Sequence, residues 1–272
     1  MSAVMDPERD DRSPRERYLT VFGRVPVLEA LADDGLTVAQ VFVATDAARP
    51  LSREIHERAA ARGITVQRVG RDRVTRLSGT GKQHQGVAAD VATPNRRGLE
   101  DWLAALPDAM PATCVLLDAI TTPANVGMII RSAVGAGMDG IVVPSRGVAD
   151  LGPLVIKASA GLAFRAPLLR VRTAGEAAQQ LRQAGFDLVA LEATGATDIW
   201  GLDLHPRTAF VLGGEHAGIS DEVATWVSQT ARIPMAEGVE SLNVAAAAAI
   251  VCFEVRRRMP FGEVPGSATT TS

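Results

Sequence analysis

Three stretches of this sequence place polar side chains that can do chemistry beside glycine or alanine. In LDAITTPANVGMIIRSA (117–133), Asn125 opens a helical pattern and Arg131 interrupts its run of Met, Ile and Val. An asparagine there suits a helix N-cap. An arginine on such a helix either snorkels to solvent or reaches for an anion. In FVLGGEHAGIS (210–220), Gly213 and Gly214 permit a tight turn and close approach of a ligand, and Glu215 follows at once. In IPMAEGVESLNVAAAAAI (233–250), Gly238 gives a turn, and Glu240, Ser241 and Asn243 stand at the mouth of a five-alanine run. Ser241 suits a cap, which leaves Asn243 in the first turn with no capping task. The glycine patterns GxGxxG and GxxxxGK[ST] are absent from these turns, which counts against a nucleotide-dependent dehydrogenase or a phosphate-loop enzyme. The two cysteines, Cys114 and Cys252, sit in separate apolar runs and read as inert core, so no metal site is expected.

The elements that must position these residues alternate between short β-like runs and amphipathic helical stretches, the pattern of an α/β protein. The 272 residues are enough for two units, and 47% hydrophobic residues suffice for a sizeable core. Residues 1–17 and 260–272 are read as disordered, 18–93 as a small α/β unit, 94–111 as a linker and 112–259 as a parallel-sheet core. In the core the last strand is read as ARIPM, and a final helix from about Ser241 to Arg257. Ligands of parallel sheets bind beyond the carboxyl ends of the strands, where all three stretches fall. No run of 18 apolar residues exists, and the charged N-terminus lacks the apolar centre of a secretory signal, so a cytoplasmic location is expected and no membrane partner. The net charge is −3, yet nine Arg or Lys face three acids between Arg49 and His84. On charge alone that segment reads as a solvated helix face.

Taken together and in this order, the three stretches resemble the signature motifs of the SpoU (TrmH-like) branch of the SPOUT RNA methyltransferases. VFGRVPVLEAL (21–31) and GTGKQHQGVAADV (79–91) are similar to the start and end of the substrate-binding domain often fused in front of that core, itself like ribosomal proteins that bind folded RNA. The resemblance implies an N-terminal RNA-binding domain, and a core with a C-terminal trefoil knot. It implies methyl transfer from S-adenosylmethionine to a ribose 2′-hydroxyl, with rRNA as the favoured substrate. A tRNA ribose methyltransferase and a non-catalytic RNA-binding protein are the alternatives. A homodimer through the knotted cores is implied too, with Val251 and Phe253 of the last helix at its seam.

By position, the resemblance assigns Gly213, Gly214, Ile233, Met235 and Leu242 to the cofactor, with Thr194 and Gly195 contributing. It assigns Arg131, Asn125, Glu215, Ser241 and Asn243 to the transfer. It raises the basic segment to an RNA contact, with Arg24, Arg71, Arg73, Arg76, Lys82, His84 and Gln85 as its members. The chain departs from the motifs at Thr122, where the family often has Asp, and at Ala245, where it often has Ser.

Overall fold

The computed structural model describes residues 17–79, 83–108, 110–215 and 218–258. The N-terminal unit is a mixed four-stranded sheet in the order β1-β4-β2-β3. Its strands are β1 (Tyr18–Phe22), β2 (Val38–Ala44), β3 (Val66–Val69) and β4 (Val87–Ala92). Strand β4 runs antiparallel to both β1 and β2, and β3 runs parallel to β2. Successive strand residues point to opposite faces. Val41 and Val43 therefore join the core under α1 (Arg24–Ala32) and α2 (Arg49–Ala61), while Phe42 and Ala44 meet Val74 of α3 (Arg71–Ser78).

The second unit is an eight-stranded, wholly parallel sheet in the order β10-β12-β9-β11-β6-β7-β8-β5. The strands are β5 (Arg97–Gly98), β6 (Ala112–Leu117), β7 (Gly140–Pro144), β8 (Leu168–Val171), β9 (Asp187–Leu191), β10 (Thr197–Asp198), β11 (Arg207–Leu212) and β12 (Gln229–Arg232). Parallel strands covered on both faces read as continuous apolar runs, and β6, ATCVLL, is buried along its whole length. Val115 and Leu117 face α5 (Pro123–Ala136), α6 (Pro153–Ala158) and α9 (Val244–Arg258). Cys114 and Leu116 face α4 (Leu99–Ala105), α7 (Ala174–Gln183) and the short α8 (Asp221–Ala224). From β6 the chain goes to β7 on one side, while β11 flanks β6 on the other. The crevice between β6 and β11 is thus a switch point, the usual ligand position in such sheets.

Two helix contacts show why particular residues stand where they do. Gly127 lets α5 press against α6: a Cβ there would lie 2.5 Å from Ala158 Cβ and 2.6 Å from the Val155 carbonyl oxygen. Buried Glu254 pairs with Arg257 at 2.8 Å and Arg258 at 2.7 Å, and Arg258 in turn donates to the carbonyls of Ile199 and Trp200 at 2.7 and 2.8 Å. This clamp fixes the end of α9 to the loop after β10.

Several boundaries differ from the sequence reading. The last helix begins at Val244 rather than Ser241, and the strand before it is Gln229–Arg232 rather than ARIPM, because Pro234 cannot donate to a ladder. Strands β1, β5, β8 and β10 were not expected. Within 94–111, the stretch read as a linker, β5 pairs with β8, and Leu99 and Trp102 of α4 are buried. Among the described residues no helix is long and apolar enough to cross a membrane.

Candidate active site

The first turn of α9 is organised by Asn243. Its Oδ1 accepts from the backbone N–H groups of Ala245 at 2.9 Å and Ala246 at 3.4 Å, so Asn243 and not Ser241 is the cap. Its Nδ2 donates to Asn125 Oδ1 and to Glu215 Oε1, each at 3.1 Å. Asn125 Nδ2 donates to the same Glu215 oxygen at 2.6 Å, which closes a ring of three side chains. The expectation that Asn125 caps its own helix is corrected. Thr122 holds the N-cap position of α5 without a side-chain cap bond, and Asn125 lies in the first turn, 4% exposed and turned toward Glu215.

Beside this ring lies a cavity of 390 Å³, within the range of small-molecule sites. It lies beyond the carboxyl ends of β9, β11 and β12. Gly213, Gly214 and Glu215 line it, with Ile233, Met235, Leu242 and Ser241. The two glycines are forced by backbone proximity. A Cβ on Gly213 would sit 2.4 Å from the Gly218 carbonyl carbon, and one on Gly214 would sit 2.4 Å from the Ala119 carbonyl oxygen. Gly214 and Gly218 exchange backbone hydrogen bonds at 3.0 and 2.9 Å, which pins the loop. Asp118, absent from the sequence-based assignment, holds the same loop from below. It is 4% exposed and accepts from the Ser220 N–H at 2.7 Å. An aspartate directly after an apolar strand was the available signal. Ala119 beside it adopts φ 55°, a conformation that glycine tolerates better.

Thr194 and Gly195 do not line the cavity; Leu191, Glu192 and Ala193 just before them do. Gly195 instead packs against β12, where a Cβ would meet the Ala231 carbonyl carbon at 2.3 Å. Arg131 is also outside the lining. It stands six residues after Asn125 on α5, which is about 9 Å along the axis and about 240° around it. Its side chain is exposed, in a stripe with Ala124, Met128 and Gly135. Met128 is 41% exposed and Phe253 of α9 52%, next to Gly135, whereas Val251 lies wholly in the chain's own core.

The N-terminal candidates separate into groups. His84 is fully buried: Nδ1 accepts from the Gly86 N–H at 2.9 Å and Nε2 meets Thr75 Oγ1 at 3.0 Å. It holds a turn rather than facing a ligand. Gln85 Oε1 accepts the Arg24 backbone N–H at 2.8 Å, and the Arg24 side chain pairs with Glu54 at 3.3 Å. Arg71 pairs with Asp46 at 2.7 Å, and Arg73 lies over the Phe42 ring at 5.7 Å. Arg76 is exposed, and Lys82 lies outside the described residues. Local pairing therefore uses up part of the basic excess noted in the sequence.

Residues 112–253 match the model of the SpoU rRNA methylase family, and residues 20–97 match that of the RNA 2′-O-ribose methyltransferase substrate-binding domain. The chain belongs to the SpoU rRNA methylase family. Among SpoU relatives, an uncharacterised tRNA/rRNA methyltransferase of Mycolicibacterium vanbaalenii is 36% identical over 240 residues, covering 88% of this chain and 76% of the relative. The 23S rRNA (guanosine-2′-O-)-methyltransferase RlmB of Xylella fastidiosa is 33% identical over 240 residues, 88% of this chain and 96% of the relative. Among solved SpoU structures, AviRb from Streptomyces viridochromogenes in complex with AdoMet superposes with a TM-score of 0.64 at 29% identity, covering 89% of this chain and 91% of that one. An AdoMet-bound rRNA methyltransferase from Sinorhizobium meliloti gives 0.62 at 27% identity, covering 90% and 89%. The SpoU resemblance read from the motifs is borne out in both units.

Proposed function

We propose that this chain transfers the methyl group of S-adenosylmethionine to a ribose 2′-hydroxyl of large-subunit rRNA, in the cytoplasm. The observation that carries the reading is the Asn125–Glu215–Asn243 ring at the mouth of a 390 Å³ cavity. The cavity suits the cofactor. Gly213 and Gly214 carry no side chain, so the cofactor can approach the backbone closely, and Leu212, Ile233, Met235 and Leu242 offer apolar walls for an adenine and a sulfonium. When bound, the cofactor supplies an electrophilic methyl whose leaving group departs neutral. The protein's task is then position and charge: the acceptor oxygen must come within about 3–3.5 Å of the methyl carbon.

Glu215 takes two amide donors on one oxygen, so the three side chains hold one another in place. We assign Asn125, Glu215, Ser241 and Asn243 to orienting the ribose. We assign Gly213, Gly214, Ile233, Met235 and Leu242 to the cofactor, with Leu191 to Ala193 in the place first given to Thr194 and Gly195. Arg131 enters from a second copy of the chain. The exposed stripe it shares with Met128, beside Phe253, forms the two-fold seam, and each Arg131 serves the neighbouring cavity. A guanidinium stays protonated, so Arg131 does not take the hydroxyl proton: it grips the substrate phosphate, which accepts that proton, or steadies the developing alkoxide while the proton passes to water. The C-terminal segments that wall the cavity form the trefoil knot.

The test is methyl incorporation from labelled S-adenosylmethionine into purified large-subunit rRNA and into tRNA, followed by primer extension to locate the modified ribose. Label in rRNA at one ribose is expected. Label confined to tRNA would select the alternative substrate. No cofactor binding by calorimetry would leave only an RNA-binding role.

A further inference from the structure

All eight core strands end on one edge, so the cavity beyond β11 shares that edge with the ends of β7 and β8. In the order β11-β6-β7-β8, three inter-strand steps separate β11 from β8, about 14 Å. Arg170 is the penultimate residue of β8. Alternation puts its side chain on the Leu168 face of the sheet, the face whose core continues into the N-terminal unit. There it lines a cleft of 470 Å³ between the two units, together with Arg76 of α3 and Arg96 just before β5. Tyr18 and Asp90 of the N-terminal sheet form the facing wall, and Asp150 of the β7–α6 loop also borders it.

Arg170 is the unusual member. Burial pushes its guanidinium below the ordinary arginine range, and nearby Asp150 acts in the opposite sense. It donates to Ser145 Oγ at 2.9 Å, and no carboxylate among the described residues lies within ion-pair distance of it. Half-desolvated cations are normally closed by a carboxylate, because an unmatched charge is costly. Among the described residues, Arg76, Arg96 and Arg170 border the cleft together with Asp90 and Asp150. Asp90 already accepts from Thr20 Oγ1 at 2.6 Å, and burial pushes its carboxyl above the ordinary range. Arg96 is anchored to the wall through the Tyr18 carbonyl at 3.3 Å.

We propose that this cleft holds a backbone phosphate of the substrate RNA between Arg170 of the core and Arg76 of the N-terminal unit, with Arg96 beside them. The proposal rests on the methyl-transfer reading and deepens it. The RNA is gripped across both units of one chain, about 14 Å along the sheet edge from the strand whose end carries the cofactor loop. The catalytic unit is then itself an RNA-binding surface and not a passive partner of the N-terminal unit.

The test uses the full chain with Arg76→Gln and Arg170→Gln, singly and together. Binding to an unmethylated large-subunit rRNA transcript is measured between about 50 and 200 mM KCl, with cofactor affinity by calorimetry and thermal melting alongside. The double variant is expected to lose about tenfold or more in RNA affinity, and its log–log salt slope should fall by about 1.5–2. Cofactor affinity should stay unchanged. Arg170→Lys keeps the charge and should recover most of the slope. Arg76 is exposed, so Arg76→Gln alone, expected to lower the slope by about 1, preserves the test if Arg170→Gln does not fold. An unchanged slope in a folded double variant that still binds cofactor removes the cleft and leaves the methyl-transfer reading standing. The proposal also falls if the double variant loses inorganic phosphate binding while RNA affinity is untouched, because the cleft would then be an anion site unrelated to the substrate. A wild-type chain that binds no cofactor and methylates no RNA overturns the parent reading instead.

Discussion

Asn243 carries two tasks at once, and substitution can separate them. Its Oδ1 caps α9 through Ala245 at 2.9 Å, while its Nδ2 serves Asn125 and Glu215 at 3.1 Å each. Asn243→Ala removes both. Loss of the cap costs about 1 kcal/mol. Loss of the amide's bonds to the ring costs about 1 kcal/mol more, kept low because Glu215 is exposed to competing water. The sum, about 2 kcal/mol, corresponds to a melting point lower by about 4–8 °C for a chain of this size. Asn243→Ser is the control. Serine caps about as well as asparagine but is too short to reach the ring, so it should lose only about 1 kcal/mol. Both variants should lose methyl transfer by about a hundredfold, since a displacement of about 1 Å in a positioned site is enough for that. Calorimetric melting and methyl incorporation are measured on the same preparations. If Asn243→Ser melts as low as Asn243→Ala, the cap contributes nothing and the division of labour is wrong. If Asn243→Ser transfers methyl at the wild-type rate, the ring does not orient the acceptor.

Gly213→Ala would drive a methyl to 2.4 Å from the Gly218 backbone, so the loop must shift; calorimetry should show cofactor affinity weakened by more than about tenfold, with the N-terminal unit intact. The Glu254 carboxyl is pulled from an ordinary 4.5 down to about 2, first by the hydrogen bond from Arg257 and then by Arg258. Its contribution is therefore complete above about pH 5 and is lost as the pH falls toward 2. Glu254→Gln should cost on the order of 1–2 kcal/mol at pH 7, after allowance for screening of the exposed Arg257, and should flatten the acid limb of a stability-against-pH curve. Ala119→Gly relieves a left-handed alanine and should raise the melting point by about 1–3 °C, with cofactor affinity unchanged. Burial pushes the Cys114 thiol up and the Cys252 thiol up to about 12, so N-ethylmaleimide should label neither in the folded chain by mass spectrometry.

Much of the core was legible because its elements obey a simple period. The apolar run of β6 and the amphipathic pattern of α7 specify their own burial. The motif glycines were legible as points of close approach, although only the fold says what approaches them. What escaped the sequence was set by distant partners. His84 looks like a ligand residue at a polar turn, yet Thr75 and Gly86 occupy both its nitrogens. Asp118 acts on Ser220, 102 residues away, and nothing local marks that bond. Strand β5 is two residues long and exists only because β8 lies beside it. The cap of α9 was misplaced by two residues because Ser241 and Asn243 are equally good caps on propensity alone.

The ring that joins Asn125 to Asn243 spans 118 residues of chain. A ribosome making this protein must therefore release the chain through Asn243 before this ring can close. Truncated or half-made products can contain the complete N-terminal sheet and still be chemically silent. Assembly must wait on contacts of large sequence separation, which slows it. Any small molecule that settles in the finished pocket then counts as a late staple, holding the segments at 191–193, 212–215 and 233–247 together by mass action.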